Sequence, residues 1–379
     1  MKRLLVLTSA TGAGHDTHAS AAAAWCARLY GGDVEVTIAH ALEDSHVLYR
    51  HGVAFYNLIQ RHAPWFHHVY YNVVELLEVL NPGTVSLGRA AYVRLLEQTR
   101  PDAILSVHDC LNRGYFELAR AILGPAVKCA TYCTEFEGGY GFSRNWVNPH
   151  GDYFFARTSE VAREAVRRGM AAKGTVVAGH WAPPSFYAAE EENPHEVATL
   201  RQKWGLEPNR FTLLLSTGGA AAQNHRTLLR ALAPLEEEIQ VIALCGRDEA
   251  ARTELEAWTA RESPLTVRFL SFTDRMPELL RASSAIVARS GATTAGEALL
   301  AGCPVIFNGL GGMMPQELPT WRYFRTRDLG SVALHAGAIR DQIASWLRDP
   351  PAFDALRERM RHNRNATTPA SALSMLLQM

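Results

Sequence analysis

Several short stretches carry residue types that could do chemistry together. In Ala288-Arg289-Ser290-Gly291-Ala292-Thr293-Thr294-Ala295-Gly296-Glu297, an apolar run gives way to small residues and then to a helical pattern. A strand that turns into a helix in this way presents backbone N–H groups and the positive end of a helix dipole, which together suit a phosphate. Ser290, Gly291, Ala292, Thr293 and Thr294 would form that turn, and Glu297, about one helical turn inside, could accept hydrogen bonds from the two hydroxyls of a ribose. An anion grip beside a diol acceptor points to a nucleotide sugar. Ser216-Thr217-Gly218-Gly219-Ala220-Ala221-Ala222-Gln223-Asn224 repeats the device, so that amides at Gly218 and Gly219 could reach the pyrophosphate from another side. Further on, Gly309-Leu310-Gly311-Gly312-Met313-Met314-Pro315 leads to an amide, Gln316, and a carboxylate, Glu317, both suited to sugar hydroxyls.

The complementary group stands near the start of the chain. In Thr8-Ser9-Ala10-Thr11-Gly12-Ala13-Gly14-His15, two glycines let the backbone pass close to a ligand while His15 projects from the end of a strand. An imidazole that titrates near neutrality can take a proton from an acceptor hydroxyl. The plainer alternative is a capping histidine bonded to a loop carbonyl. A dinucleotide fingerprint would need a third glycine where Thr17 stands and an acid where His40 ends the second strand, so a dehydrogenase is a poor fit. The chain has no Asp-x-Asp run of the kind that holds a divalent metal on a diphosphate. Helix N-termini can take over that neutralisation, so neither a metal nor a cofactor is expected, the sugar nucleotide being a substrate.

These residues need strands and helices to hold them. Apolar strand-like runs alternate with helical periods at Leu4–Thr8, Val34–Ala41, Ala103–His108, Val127–Thr134, Asp152–Ala156 and Thr175–Gly179, with a first helix from about His18 to Tyr30. The alternation restarts at Phe211–Ser216, Gln240–Cys245, Thr266–Phe272, Ala285–Ala288 and Pro304–Asn308, beyond a Pro- and Glu-rich linker between Ala182 and Pro194. The fold class expected is α/β, two doubly wound parallel-sheet domains of Rossmann type over 1–185 and 195–350. Such sheets bind ligands beyond the carboxyl ends of their strands, so substrates are expected to meet in a cleft between two facing domains. Residues 351–379 are expected as C-terminal helices, the last of them, Ala370–Leu377, crossing back to the first domain. An aromatic segment, about 46–82, interrupts the alternation with Trp65, Phe66, Tyr70 and Tyr71 among several histidines. It reads either as a helical insertion packed on the first sheet or as an interfacial membrane element.

Composition narrows the classes. Lys and Arg number 38, as do Asp and Glu, so no global charge draws the chain to nucleic acid or to an anionic membrane. The six cysteines lack metal-ligand spacing and are expected as reduced thiols. Lys2-Arg3 followed by four apolar residues is too short for a signal peptide.

The motifs resemble those of the inverting glycosyltransferases of GT-B fold that include the peptidoglycan N-acetylglucosaminyltransferase, monogalactosyldiacylglycerol synthase and diacylglycerol glucosyltransferases. Gly12-Ala13-Gly14-His15 is similar to that family's glycine turn with its proposed base, and Pro101-Asp102 with Ser106-Val107-His108 to its lipid-synthase pattern. Gly291–Glu297 is similar to the nucleotide turn, and Gln316-Glu317 to the pair that contacts the donor. Three positions depart from the pattern: Thr134-Glu135 stands for Thr-Asp, Ala220–Ala222 for a richer glycine run, and Pro315-Gln316-Glu317 for Gly-Gln-Glu. The resemblance implies transfer of a hexose from a UDP-sugar to a lipid acceptor such as diacylglycerol, with His15 as base. It also implies acceptor contacts from Gly14, His108, Thr134, Glu135 and the region of Trp65, and work at the inner face of the cell membrane. A soluble small-molecule acceptor, or a UDP-sugar epimerase of the same architecture, are the alternatives.

Overall fold

The computed structural model describes residues 1–80, 85, 87–187, 194–216, 224–365 and 367–379. The chain folds as two compact units, one of Met1–Pro184, Met314–Pro319 and Ala366–Met379, the other of Ser185–Met313 and Thr320–Asn365. The sequence places a single domain over 195–350; in the structure Met314–Pro319 groups with the first unit, and the 351–379 stretch divides at Asn365.

The first sheet contains β1 (Lys2–Thr8), β2 (Val34–His40), β3 (Ala103–Ser106), β4 (Lys128–Cys133), β5 (Tyr153–Ala156) and β6 (Thr175–Val177), all parallel, in the order β2-β1-β3-β4-β5-β6. Leu4, Leu5, Val6 and Leu7 are all buried, as expected of a strand covered on both faces by helices. The helices of this unit are α1 (Gly14–Tyr30), α2 (Val47–His62), α3 (His67–Leu80), α4 (Arg89–Thr99), α5 (Tyr115–Leu123) and α6 (Ser159–Arg167). One face of the sheet buries Leu5, Leu7 and Ile104 against Tyr92 and Leu96 of α4 and Phe116 of α5.

In the second unit β7 (Phe211–Ser216), β8 (Ile239–Leu244), β9 (Val267–Leu270), β10 (Ala285–Ala288), β11 (Val305–Asn308) and β12 (Gly330–Ala333) form a parallel sheet in the order β12-β11-β10-β7-β8-β9. Its helices are α7 (Pro194–Lys203), α8 (His225–Leu232), α9 (Glu249–Glu262), α10 (Met276–Ala282), α11 (Ala292–Leu300), α12 (Leu318–Thr326, from Thr320 onward), α13 (Ala336–Arg348) and α14 (Pro350–His362). A last helix, α15 (Ala370–Leu377), packs on α1 and β4 and buries Leu373, Leu376 and Leu377 in the first unit.

Each sheet has one place where successive strands part to opposite sides, between β1 and β3 in the first and between β7 and β10 in the second. Loops leaving two such strands diverge and leave a crevice at their carboxyl ends. The two motif-bearing turns, after β1 and after β10, both lie at these points. All six cysteines are free thiols.

Candidate active site

Helix α1 starts at Gly14, four residues before the first residue of the apolar period, so His15 sits in the first helical turn and not in the loop ahead of it. Asp16, beside it, favours that early start by complementing the helix dipole. Asp16 also accepts hydrogen bonds from Thr8 Oγ1 at 2.9 Å and lies 3.1 Å from His40 Nε2, so the histidine that ends β2 braces this turn.

His15 Nδ1 lies 2.7 Å from the carbonyl oxygen of Val107, just past the end of β3. A carbonyl only accepts, so Nδ1 carries the proton and Nε2 keeps its lone pair. Val107 is itself fixed, its N–H donating to Leu7 O of β1 at 3.0 Å. Burial pushes the His15 pKa below 6.5, against the opposing pull of Asp109, the Val107 carbonyl, Asp16 and Glu43. The ring is therefore neutral at pH 7, the form a general base requires.

The His108 ring packs on that of His15, centroids 4.4 Å apart, and Trp146 adds an apolar wall at 6.1 Å. His108 is buried and its pKa is held down to about 3, first by burial and then by His15. Its contact with Asp109 at 3.1 Å is thus no ion pair, because both atoms receive the N–H of Cys110. The opposite nitrogen, Nε2, reaches Thr11 Oγ1 at 2.8 Å. Among the described residues, His108, Asp109 and Cys110 form one group whose ligand atoms lie within 4.8 Å of one another, but two of those atoms serve the Cys110 amide.

Of the other acceptor-side residues, Gly14 adjoins His15, and Thr134 and Glu135 are buried just past β4. Trp65 stands apart: it is 62% exposed and packs on Phe66. The 136–146 stretch reaches α3 instead, where Tyr140 stacks on His68 and its hydroxyl accepts from Asn72 at 3.1 Å, while Glu75 accepts from the Arg144 amide.

In the second unit, Ser290 is buried after β10 and Gly291 caps α11, whose first turn is Ala292, Thr293 and Thr294. Glu297 is buried one turn further along. Arg289, which the sequence pattern did not single out, donates to Leu310 O at 3.2 Å and ties this turn to the loop after β11. The Gly218 and Gly219 turn after β7 lies outside the described residues. Gln316 and Glu317 belong to the first unit. Glu317 is buried and accepts from the Met314 amide at 2.7 Å, closing a capping box, whereas Gln316 donates through Nε2 to the Tyr56 hydroxyl of α2 at 2.7 Å.

Residues 213–308, which span β7 to β11, match the model of the glycosyltransferase family 28 C-terminal domain. Over 95% of its length the chain is 23% identical to the processive diacylglycerol beta-glucosyltransferase of Bacillus subtilis, covering 91% of that protein. These matches mark the chain as a glycosyltransferase, its 213–308 segment being similar to the family 28 C-terminal domain. It is 24% identical to monogalactosyldiacylglycerol synthase 1 of Arabidopsis thaliana over 91% of its own length, and spans 64% of that longer protein. Among solved structures, Acinetobacter baumannii MurG superposes with a TM-score of 0.64 over the whole of both chains at 14% identity. Anabaena Alr3699/HepE in complex with UDP and glucose superposes with a TM-score of 0.56 at 16% identity, over 99% of this chain and 98% of that one. With two parallel six-stranded sheets, the glycosyltransferase has the GT-B fold of these neighbours.

Proposed function

We propose that this glycosyltransferase moves a hexose from a UDP-sugar to a hydroxyl of a membrane lipid, diacylglycerol being the leading acceptor, with inversion at the anomeric carbon. The observation that carries the reading is the Val107 carbonyl holding His15 Nδ1, which commits Nε2 to accepting a proton. In a single displacement Nε2 takes the acceptor proton, the acceptor oxygen bonds to C1, and the bond from C1 to the diphosphate breaks. The leaving charge goes to the amide turn at Ser290 to Thr294, where each oriented donor is worth about 3 kcal/mol. Glu297 receives the ribose hydroxyls. With Gln316 Nε2 engaged by Tyr56, its Oε1 serves as acceptor for a sugar hydroxyl. The relatives that act on diacylglycerol support the acceptor, and the HepE complex supports the nucleotide.

Incubating the protein with a panel of nucleotide sugars and total lipid, then weighing the products, tests the reading. Label in lipid supports it; a changed sugar nucleotide formed from donor alone points to an epimerase instead. The pH profile is a sharper check on the base. Protonation of His15 abolishes its function, and its pKa is depressed, so the acidic limb of kcat/KM falls below pH 6.5 rather than at or above it.

Membrane contact belongs to the same proposal. No helix among the described residues is long and apolar enough to cross a membrane. Instead α2 and α3 expose Leu48, Phe55 and Leu58, then Val69, Val73 and Leu76, at helical spacing, with Trp65 between them. The same helices bury Val53, Ile59 and His67, so the insertion is packed in part and leaves these apolar side chains exposed. Replacing Leu58 and Trp65 together by Glu is expected to cut sedimentation with anionic liposomes by about tenfold or more, from the lost apolar burial alone. Equal sedimentation of wild type and variant would favour a soluble acceptor.

A further inference from the structure

The loop ahead of His15 is held by side chains from elsewhere: His108 meets Thr11 Oγ1 at 2.8 Å, and Glu43 and Asn57 hold the backbone around it. Glu43, following β2, accepts through Oε1 from Ser9 Oγ at 3.0 Å and from the Ala10 amide at 2.5 Å. Asn57, in the middle of α2, does more: its Oδ1 accepts from the Gly12 amide at 3.0 Å and its Nδ2 donates to Ala10 O at 2.9 Å. One carboxamide thus grips the backbone on both sides of Thr11, and only a group that is donor and acceptor at once can do so. Gly12 lies at φ +77°, a conformation with no regular ladder to hold it, and His15 follows three residues later. We propose that Asn57 is a positioning residue for His15, locking the glycine turn so that the imidazole is presented in one orientation. This inference rests on the reading of His15 as the base.

The physical case is one of tolerance. A base must sit within about 3–3.5 Å of the reacting group, and a displacement of about 1 Å can cost a hundredfold in rate. The Val107 bond at Nδ1 fixes the rotation of the imidazole, whereas the position of its Cα depends on the turn that Asn57 clamps. Tyr56, the preceding residue, holds Gln316, so adjacent positions of one helix secure the base turn and the amide assigned to the donor sugar. The neighbouring residues Phe55 and Leu58 are the exposed ones, which places the clamp on the inner side of the same helix.

The test uses the full chain with Asn57→Leu, which strips both hydrogen bonds while keeping the bulk, and Asn57→Ala, which leaves room for water. Expected is a fall in kcat of about 10–100-fold with donor KM within about twofold of wild type. In imidazole nitrogen NMR the His15 signal, a single Nδ1–H tautomer in the wild type, becomes a mixture, and its titration midpoint rises toward 6.5 as water enters. The groups beside burial that set that midpoint, Asp109, the Val107 carbonyl, Asp16 and Glu43, are unaltered in both variants, as is the His108 ring packed on it. A variant that folds, keeps kcat within twofold and leaves the His15 resonances in place overturns the proposal. So does a loss of activity that merely tracks a loss of folded protein. The wild type supplies a check independent of any variant, because the Gly12 amide must exchange with solvent far more slowly than an exposed loop amide, and fast exchange refutes the clamp. Should wild-type protein transfer no sugar, the functional reading fails, while the NMR and exchange results still decide on Asn57.

Discussion

His15→Ala is expected to lower turnover by about 10²–10⁴-fold, the range for losing a positioned general base, and to leave donor affinity nearly unchanged. The separation follows from where the groups lie. His15 opens α1 in the first unit, while the amides assigned to the diphosphate start α11 after β10 in the second. His15→Asn refines the test, because a carboxamide can still donate to the Val107 carbonyl yet has no basic nitrogen. Both variants should be equally slow if proton transfer is the contribution, and Asn should recover activity if holding the loop is all that His15 does. Steady-state kinetics with labelled donor, alongside equilibrium binding of the nucleotide, check this. Full activity in His15→Ala would reduce the imidazole to a cap on the Val107 carbonyl.

The parts of this site that can be read from sequence are those where local pattern and global topology agree. Buried parallel strands such as Leu4–Leu7 are continuous apolar runs, and small residues at their carboxyl ends mark where a backbone must turn sharply. The placement of His15 and of the Ser290–Thr294 turn beyond strand ends is legible for that reason, and Thr17 and His40 speak against a dinucleotide site in the same terms. The apolar period begins the first helix at about His18, four residues late, because its first turn carries Gly14, His15 and Asp16, polar or small residues that add nothing to that period. Asn57 and Tyr56 were invisible for a different reason. Their partners, Gly12 and Gln316, are 45 and 260 residues away, and nothing local distinguishes a clamp from any other polar residue of a helix. Glu317 shows the converse: its carboxylate reads as a sugar ligand in sequence, yet one of its oxygens closes the cap of its own turn. The two-faced insertion falls between these cases, since the spacing of Leu48, Phe55 and Leu58 gives an apolar stripe without saying what covers it.

Gly141→Ala should be among the most damaging single-methyl changes in the chain, and Gly291→Ala among the mildest. Gly141 lies at φ +94°, where an L side chain is strained by about 1–3 kcal/mol before any contact is considered. A Cβ there would stand 1.9 Å from Pro315 O and 2.9 Å from Pro319 Cδ, so Met314–Pro319 would have to move away. That segment carries Gln316 to Tyr56, and its displacement would release the amide assigned to the donor sugar. Gly291, despite its place in the nucleotide turn, has φ −66° and nothing within 4 Å of a built Cβ, so its amide rather than its lack of a side chain is what the turn needs. The expected result is a loss of about 2 kcal/mol or more in denaturant unfolding for Gly141→Ala, together with a raised donor KM. Gly291→Ala should stay within about 0.5 kcal/mol of wild type and keep most of its affinity. If the two variants behave alike, Pro315 does not lie against Gly141, and Gln316 loses its support as a group held ready for the sugar.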